Sequence, residues 1–241
     1  MKRVHLLLAV IFLALTPLSV QAGRLDTALR VAILNENVQM VEDALKNGAD
    51  INYIEADYAD NPLCLAVNTG NMSIVDILLK RGANPNIWIE GNGMITSTPL
   101  LKAIALQKMD MIKALVESGA DVNMPATRYH KPAEKLFSPL MQSIASTYTK
   151  DSMDIFNYLL EKGADIYYVT CEGDNALMIV ADGRVSVYKQ EAAYQMGEIL
   201  LLKGAKTGIR NQRGKNATDI AIETHFVLMA DLLRQKRFAN N

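Results

Sequence analysis

Histidine, cysteine and tryptophan are scarce in this chain: its 241 residues hold three, two and one of them. His5 lies in the extreme N-terminal stretch, and His130 and His225 stand far apart in sequence. There is no HExxH, no paired CxxC, no GxSxG and no phosphate-binding glycine loop, so the common metallopeptidase, redox, serine-hydrolase and nucleotide chemistries lack their motifs. Gly91-Asn92-Gly93 has neither the third glycine nor the strand and helix of a dinucleotide fingerprint, and is expected to be a loop tip. No cofactor, metal or catalytic residue is expected.

A surplus of positive charge is missing too. Lys and Arg number 25 against 26 Asp and Glu. Neutralising phosphates needs a basic surface, so nucleic acid is not an expected partner. Long apolar runs are also absent, with one exception. Leu6 to Leu15 is apolar throughout, preceded by Lys2 and Arg3 and followed by Pro17 and by Val20-Gln21-Ala22. Ten residues fall short of the ~20 that span a bilayer. The pattern is that of a secretory leader over residues 1–22, cut after Ala22, with an uncleaved anchor as the alternative and no cysteine behind it to carry a lipid. A periplasmic location without membrane insertion is therefore expected. The mature part, Gly23–Asn241, has 219 residues; losing Lys2 and Arg3 leaves 23 basic against 26 acidic residues, a net charge of −3.

What is present is a recurring phrase. Gly-Ala followed by Asp, Asn or Lys occurs with its glycine at Gly48, Gly82, Gly119, Gly163 and Gly204, at spacings of 34, 37, 44 and 41. A return at this period marks a solenoid, whose units bury their apolar faces only against their neighbours. Each unit opens with a polar residue, then Pro or Ala, then an apolar residue: Thr27-Ala28-Leu29, Asn61-Pro62-Leu63, Thr98-Pro99-Leu100, Ser138-Pro139-Leu140 and Asn175-Ala176-Leu177, with Asn216-Ala217-Thr218 as a degenerate sixth. A polar cap followed by Pro at the first helical position starts a helix, because the side-chain oxygen takes an orphan N–H and Pro has none to orphan. A second helix precedes each Gly-Ala. Its apolar stripe lies eight, four and three residues before the glycine, as in Met111, Leu115 and Val116. The glycine ends it in the left-handed conformation.

With these motifs in place, the chain resembles the ankyrin family, whose repeat of 33 residues carries a T-P-L-H-x-A motif. Thr98-Pro99-Leu100 with Ala103, followed by Ser118-Gly119-Ala120-Asp121, matches it best, and the resemblance runs from about Asp26 to Leu233. It implies an all-α solenoid of about six helix–turn–helix repeats, over residues 23–235, with β-hairpin fingers between them and a short basic and polar tail over 236–241. It also implies protein recognition. The family's His, which ties neighbouring repeats together, is replaced here by Arg30, Cys64, Leu101, Met141, Met178 and Asp219, so modest stability is expected. Two repeats lie between those carrying Cys64 and Cys171. Helices pack ~8–10 Å apart and a disulfide needs Cα atoms within ~7 Å, so two free thiols are expected, with Cys64 buried. The sequons at Asn71 and Asn216 fall inside the repeat motif, where a glycan would be awkward, which favours a bacterial periplasm over a eukaryotic secretory route.

The repeat departs from its own rule in two ways. Two fingers are extended, over Ile87–Ser97 and Met124–Phe137. Two turns between paired helices gain about four residues near Ser146–Ser152 and about eight near Asp182–Gln190. Insertions map to loops and mark the candidate binding surface. The fingers also concentrate aromatic rings: Tyr53, Tyr58, Trp88, Tyr129, Tyr167 and Tyr168. Tyr and Trp are common interface anchors, although the same rings could stack on one another and only stiffen the hairpins. The candidate protein-binding residues are Tyr53, Tyr58, Trp88, Glu90, Asn92, Met94, Arg128, Tyr129, His130 and Tyr167 on the fingers, with Asn68 and Leu106 near the ends of first helices. The expected function is non-enzymatic binding of one protein partner by a chain that is a monomer when free. That partner would be a toxic effector or envelope protein which the chain neutralises as an immunity protein does. The alternative is a periplasmic adaptor in stress defence or envelope assembly.

Overall fold

The computed structural model describes residues 18–54, 61–87, 90–91, 94–95, 98–127, 136–146, 150–182 and 187–239. Within them lie six helix pairs: α1 (Leu18–Leu34) with α2 (Val38–Lys46), α3 (Pro62–Thr69) with α4 (Met72–Lys80), α5 (Pro99–Ala105) with α6 (Met109–Glu117), α7 (Pro139–Ala145) with α8 (Lys150–Glu161), α9 (Ala176–Ala181) with α10 (Val187–Leu202), and α11 (Ala217–Glu223) with α12 (Val227–Ala239). Two antiparallel ribbons separate the middle units: β1 (Glu90–Gly91) with β2 (Met94–Ile95), and β3 (Ala126–Thr127) with β4 (Leu136–Phe137). Among the described residues no helix is long and apolar enough to cross a membrane.

Five of the six expected helix starts are where the motif placed them. Asn61, Thr98, Ser138, Asn175 and Asn216 each accept a hydrogen bond from the backbone N–H three residues on. The first does not. α1 is already under way at Leu18, and the Thr27 hydroxyl donates to the Gly23 carbonyl at 2.8 Å instead of capping. Thr27 lies inside the helix, where its hydroxyl satisfies itself on the preceding turn.

All five Gly-Ala glycines hold φ between +87° and +97° and end their second helices. Most of the residues inserted between paired helices lengthen the second helices. α8 has 12 residues and α10 has 16, where α2, α4 and α6 have nine.

One apolar core runs the length of the stack. Leu29, Leu63, Leu100, Leu140 and Leu177 of the first helices and Leu78, Leu115, Leu159, Leu200 and Leu233 of the second are almost wholly buried. The first helices of neighbouring units pack more closely than the second helices do, so the stack curves with its first helices on the inner side. Cys64 is buried and Cys171 exposed, and both are free thiols. Asn71 and Asn216, the two sequon asparagines, are both spent on helix caps, and Asn216 is buried.

Candidate protein-binding surface

Two strips of surface run along the stack. One is the inner face, formed by the ends of the first helices. The other is the row of fingers that lead into those helices, about 10 Å away at a rise of ~1.5 Å per residue over a helix of seven. On the inner face, Asn68 is exposed near the end of α3, and Leu106, at the C-cap of α5, is 44% exposed. They lie on adjacent units whose first helices pack together. An exposed Leu beside an exposed Asn, backed by a rigid helix row, suits contact with protein better than catalysis.

On the finger row, Glu90 and Met94 fall in the β1–β2 ribbon, where Glu90 pairs with Ile95 and Gly91 with Met94. Tyr167 is 55% exposed, and a Cβ at Gly204 of the next unit would stand 3.3 Å from its hydroxyl. Tyr53 is half-buried and packs on the core. Tyr168 is also half-buried, and its hydroxyl donates to the Leu136 carbonyl of β4 at 3.1 Å, tying two fingers together. Burial, with the Cys171 thiol nearby, holds the Tyr168 phenol above its ordinary pKa. Tyr168 thus ties two finger bases together and Tyr53 rests on the core, whereas Tyr167 stays exposed. Tyr58, Trp88, Asn92, Arg128, Tyr129 and His130 lie outside the described residues.

The finger bases owe their register to a device that the sequence reading did not single out. The second residue after each Gly-Ala-Asp/Asn step is Asn in the first three units. Asn52 accepts from the Asn84 N–H at 2.8 Å, Asn86 from Asp121 at 2.7 Å, and Asn123 from Asp165 at 2.7 Å. Asn86 and Asn123 also donate to the carbonyls of Gly119 and Gly163 in the next unit, at 2.8 and 3.2 Å. Asp26 makes the first rung, accepting from Asp50 at 2.8 Å. Tyr167 occupies the next position of the series. Beyond it, the Thr170–Asp174 and Asn211–Lys215 turns are joined by Asn211 donating to Asp174 at 2.7 Å and by the Gln212 N–H donating to the Glu172 carbonyl at 2.8 Å. The spacing of Asn52, Asn86 and Asn123 after each glycine was visible and could have revealed the ladder.

Among the described residues no group of three His, Cys, Asp or Glu side chains could hold a metal ion. A family model for ankyrin repeats, in three copies, matches over residues 7–88 and 29–126. The chain is an ankyrin-repeat protein. Its fold is similar to that of a chain from a predatory endopeptidase in complex with an immunity protein, of Bdellovibrio bacteriovorus. That match has a TM-score of 0.68 and 24% identity, over 87% of this chain and 97% of that one. It is equally similar to an ankyrin repeat domain of Acinetobacter baumannii, with a TM-score of 0.68 and 18% identity over 86% and 96% of the two chains. In sequence it is similar to alpha-latrocrustotoxin-Lt1a of Latrodectus tredecimguttatus, 32% identical over 143 residues, which are 59% of this chain and 9% of that protein. The ankyrin chain spans less than a third of the length of the first curated relatives it matches, at 29%, 9% and 28%. The matching family model describes a protein-interaction repeat and not an enzyme.

Proposed function

We propose that this ankyrin-repeat protein is a non-enzymatic periplasmic binder that neutralises one secreted or envelope protein, in the manner of an immunity protein. The observation that carries the reading is the inner face with its finger row: a rigid, hydrogen-bonded surface bearing exposed Leu106 and Tyr167. A standard interface of ~1,600 Å² fits across three or four such repeats. The fold shared with a chain from an endopeptidase–immunity protein complex supports the same reading by analogy of architecture. The leader-like sequence of residues 1–22 supports export.

The test is to capture periplasmic and neighbouring-cell proteins on immobilised residues 23–241, and to assay each captured protein for its own activity with and without the chain. An enzyme inhibited at a one-to-one ratio supports the proposal. A captured protein whose activity is unchanged favours the adaptor. Capture that survives Leu106→Glu combined with Trp88→Ala and Tyr167→Ala refutes the proposed surface.

A further inference from the structure

On the outer face of the last two units the repeat breaks its own polarity. Leu202, at the end of α10, is 77% exposed, and its equivalents in the first four units are Lys46, Lys80, Glu117 and Glu161. Leu228, in the first turn of α12, is 61% exposed, where Gln39, Ser73, Asp110, Asp154 and Gln195 stand in the other units. Two polar-to-Leu changes on adjacent helices are not scattered exposure of the ordinary kind. Leu202 lines a groove of about 400 Å³ between α10 and α12, together with Gln195, Glu198, Ile199 and Leu232. Leu228 lies one turn before Leu232 on the same helix. Between the two helices the end of the Met229 side chain fills the space over Gly197, where a Cβ would stand 2.6 Å from it.

The groove has a signed rim. On the α10 side stand Glu191, which takes a hydrogen bond from Gln195 at 3.0 Å, and Glu198 in the groove lining. Neither carboxylate forms an ion pair among the described residues. On the α12 side, Asp231 is paired with Arg234 at 3.3 Å. The groove therefore has an apolar floor flanked by uncompensated negative charge on one helix.

We propose that this outer groove docks a basic amphipathic helix of a second partner protein. The helix would place apolar residues at i, i+3 or i+4 and i+7 on Ile199, Leu202, Leu228 and Leu232, and Lys or Arg beside Glu191 and Glu198. The inner face and the fingers stay free, so one chain can join two proteins.

The test uses two fluorescent 14-residue helical peptides with leucines at the same i, i+3, i+4 and i+7 positions, one with Lys and one with Glu at all other positions. Fluorescence anisotropy should show the Leu/Lys peptide bound at least tenfold more tightly than the Leu/Glu peptide. Leu202→Lys should weaken the Leu/Lys peptide at least tenfold, and Glu191→Gln with Glu198→Gln about threefold, with a flatter salt dependence. Lys stands at the equivalent position in the first two units, so the Leu202→Lys chain keeps its fold, which its circular dichroism melt checks. Equal binding of the two peptides overturns the proposal, as does Leu/Lys binding untouched by Leu202→Lys. A concentration-dependent dimer dissolved by Leu202→Lys also overturns it, and assigns the groove to a second copy of the chain.

Discussion

Tyr158 shows how a single residue can work against the stack. It lies on α8 and packs against the core, yet its hydroxyl is buried with no hydrogen-bond partner. Burial first, then the charges of Glu117 and Glu161, hold its pKa above the ordinary phenol value. An unpartnered buried hydroxyl costs about 1–3 kcal/mol. Tyr158→Phe keeps the ring, with Lys162 still 5.4 Å from its centre, and removes that cost. The variant should melt a few degrees higher at neutral pH, since ~1 kcal/mol corresponds to about 2–4 °C in a chain of this size. A melting temperature equal to or below the parent's would show that the hydroxyl is satisfied.

The same side chain has an alkaline consequence. Because the folded-state pKa is raised, the unfolded chain loses this proton first as pH climbs past about 10, and stability falls. Burial also leads in raising Tyr168, and Tyr194 is shifted in the same direction. Tyr158→Phe should therefore lessen the alkaline loss of stability without abolishing it. None of this is legible in sequence, where Tyr158 is one more residue of a helical stripe. Its raised pKa comes from burial first, then from Glu117 of α6 and Glu161 of its own helix.

At the scale of elements, the ladder of asparagines sets how one finger base sits on the next. Asn123 spans the longest interval between glycines, from the third unit to the fourth, and touches two backbone groups there. A net hydrogen bond contributes ~0.5–1.5 kcal/mol, so Asn123→Ala should cost about 1–2 kcal/mol. Hydrogen exchange of the Asp165 amide should accelerate with it. Asn123→Asp keeps the acceptor for Asp165 and loses the donor to Gly163, so it should protect the Asp165 amide while still losing part of the stability. Exchange at Asp165 unchanged in the Ala variant would mean the rung carries no energy.

The helix caps were legible because each is a local transaction between one side chain and an N–H three residues on. Two element-scale features were not. The start of α1 escaped because Thr27 has a partner at Gly23 that a capping motif does not reveal. The insertions in the fourth and fifth units read as longer turns, whereas most of their residues extend α8 and α10. A polar, alanine-containing stretch such as Gln190-Glu191-Ala192-Ala193 propagates a helix that packing has already nucleated. In the outer groove, Leu202 was legible as a departure from Lys46, Lys80, Glu117 and Glu161 at the same distance from the glycine. Leu228 was not, because the last unit has lost the Gly-Ala marker that sets the register.

Across the whole molecule the six units are not joined with equal strength. In a stack whose stability is a sum of unit and interface contributions, unfolding proceeds from the weakest interface. Of the neighbouring second helices, α6 and α8 pack least closely, and the partnerless Tyr158 hydroxyl belongs to this junction. Its remaining polar ties include the Asn123 rung and a 2.9 Å hydrogen bond from the Gln107 amide to Ser152. The third and fourth units should therefore part before either half melts. Trp88, the single tryptophan, belongs to the finger between the second and third units, so its fluorescence reports the N-terminal half, while far-ultraviolet circular dichroism reports every helix. In urea the two signals should give separate midpoints, with the separation widening in Asn123→Ala and narrowing in Tyr158→Phe. Coincident midpoints in all three chains would mean that the six units unfold as one cooperative block and that the junction is no weaker than the rest. The inner face carrying Leu106 and the finger carrying Tyr167 lie on opposite sides of this junction. A partner gripping both would hold it shut, so binding should merge the two transitions into one at a higher urea concentration.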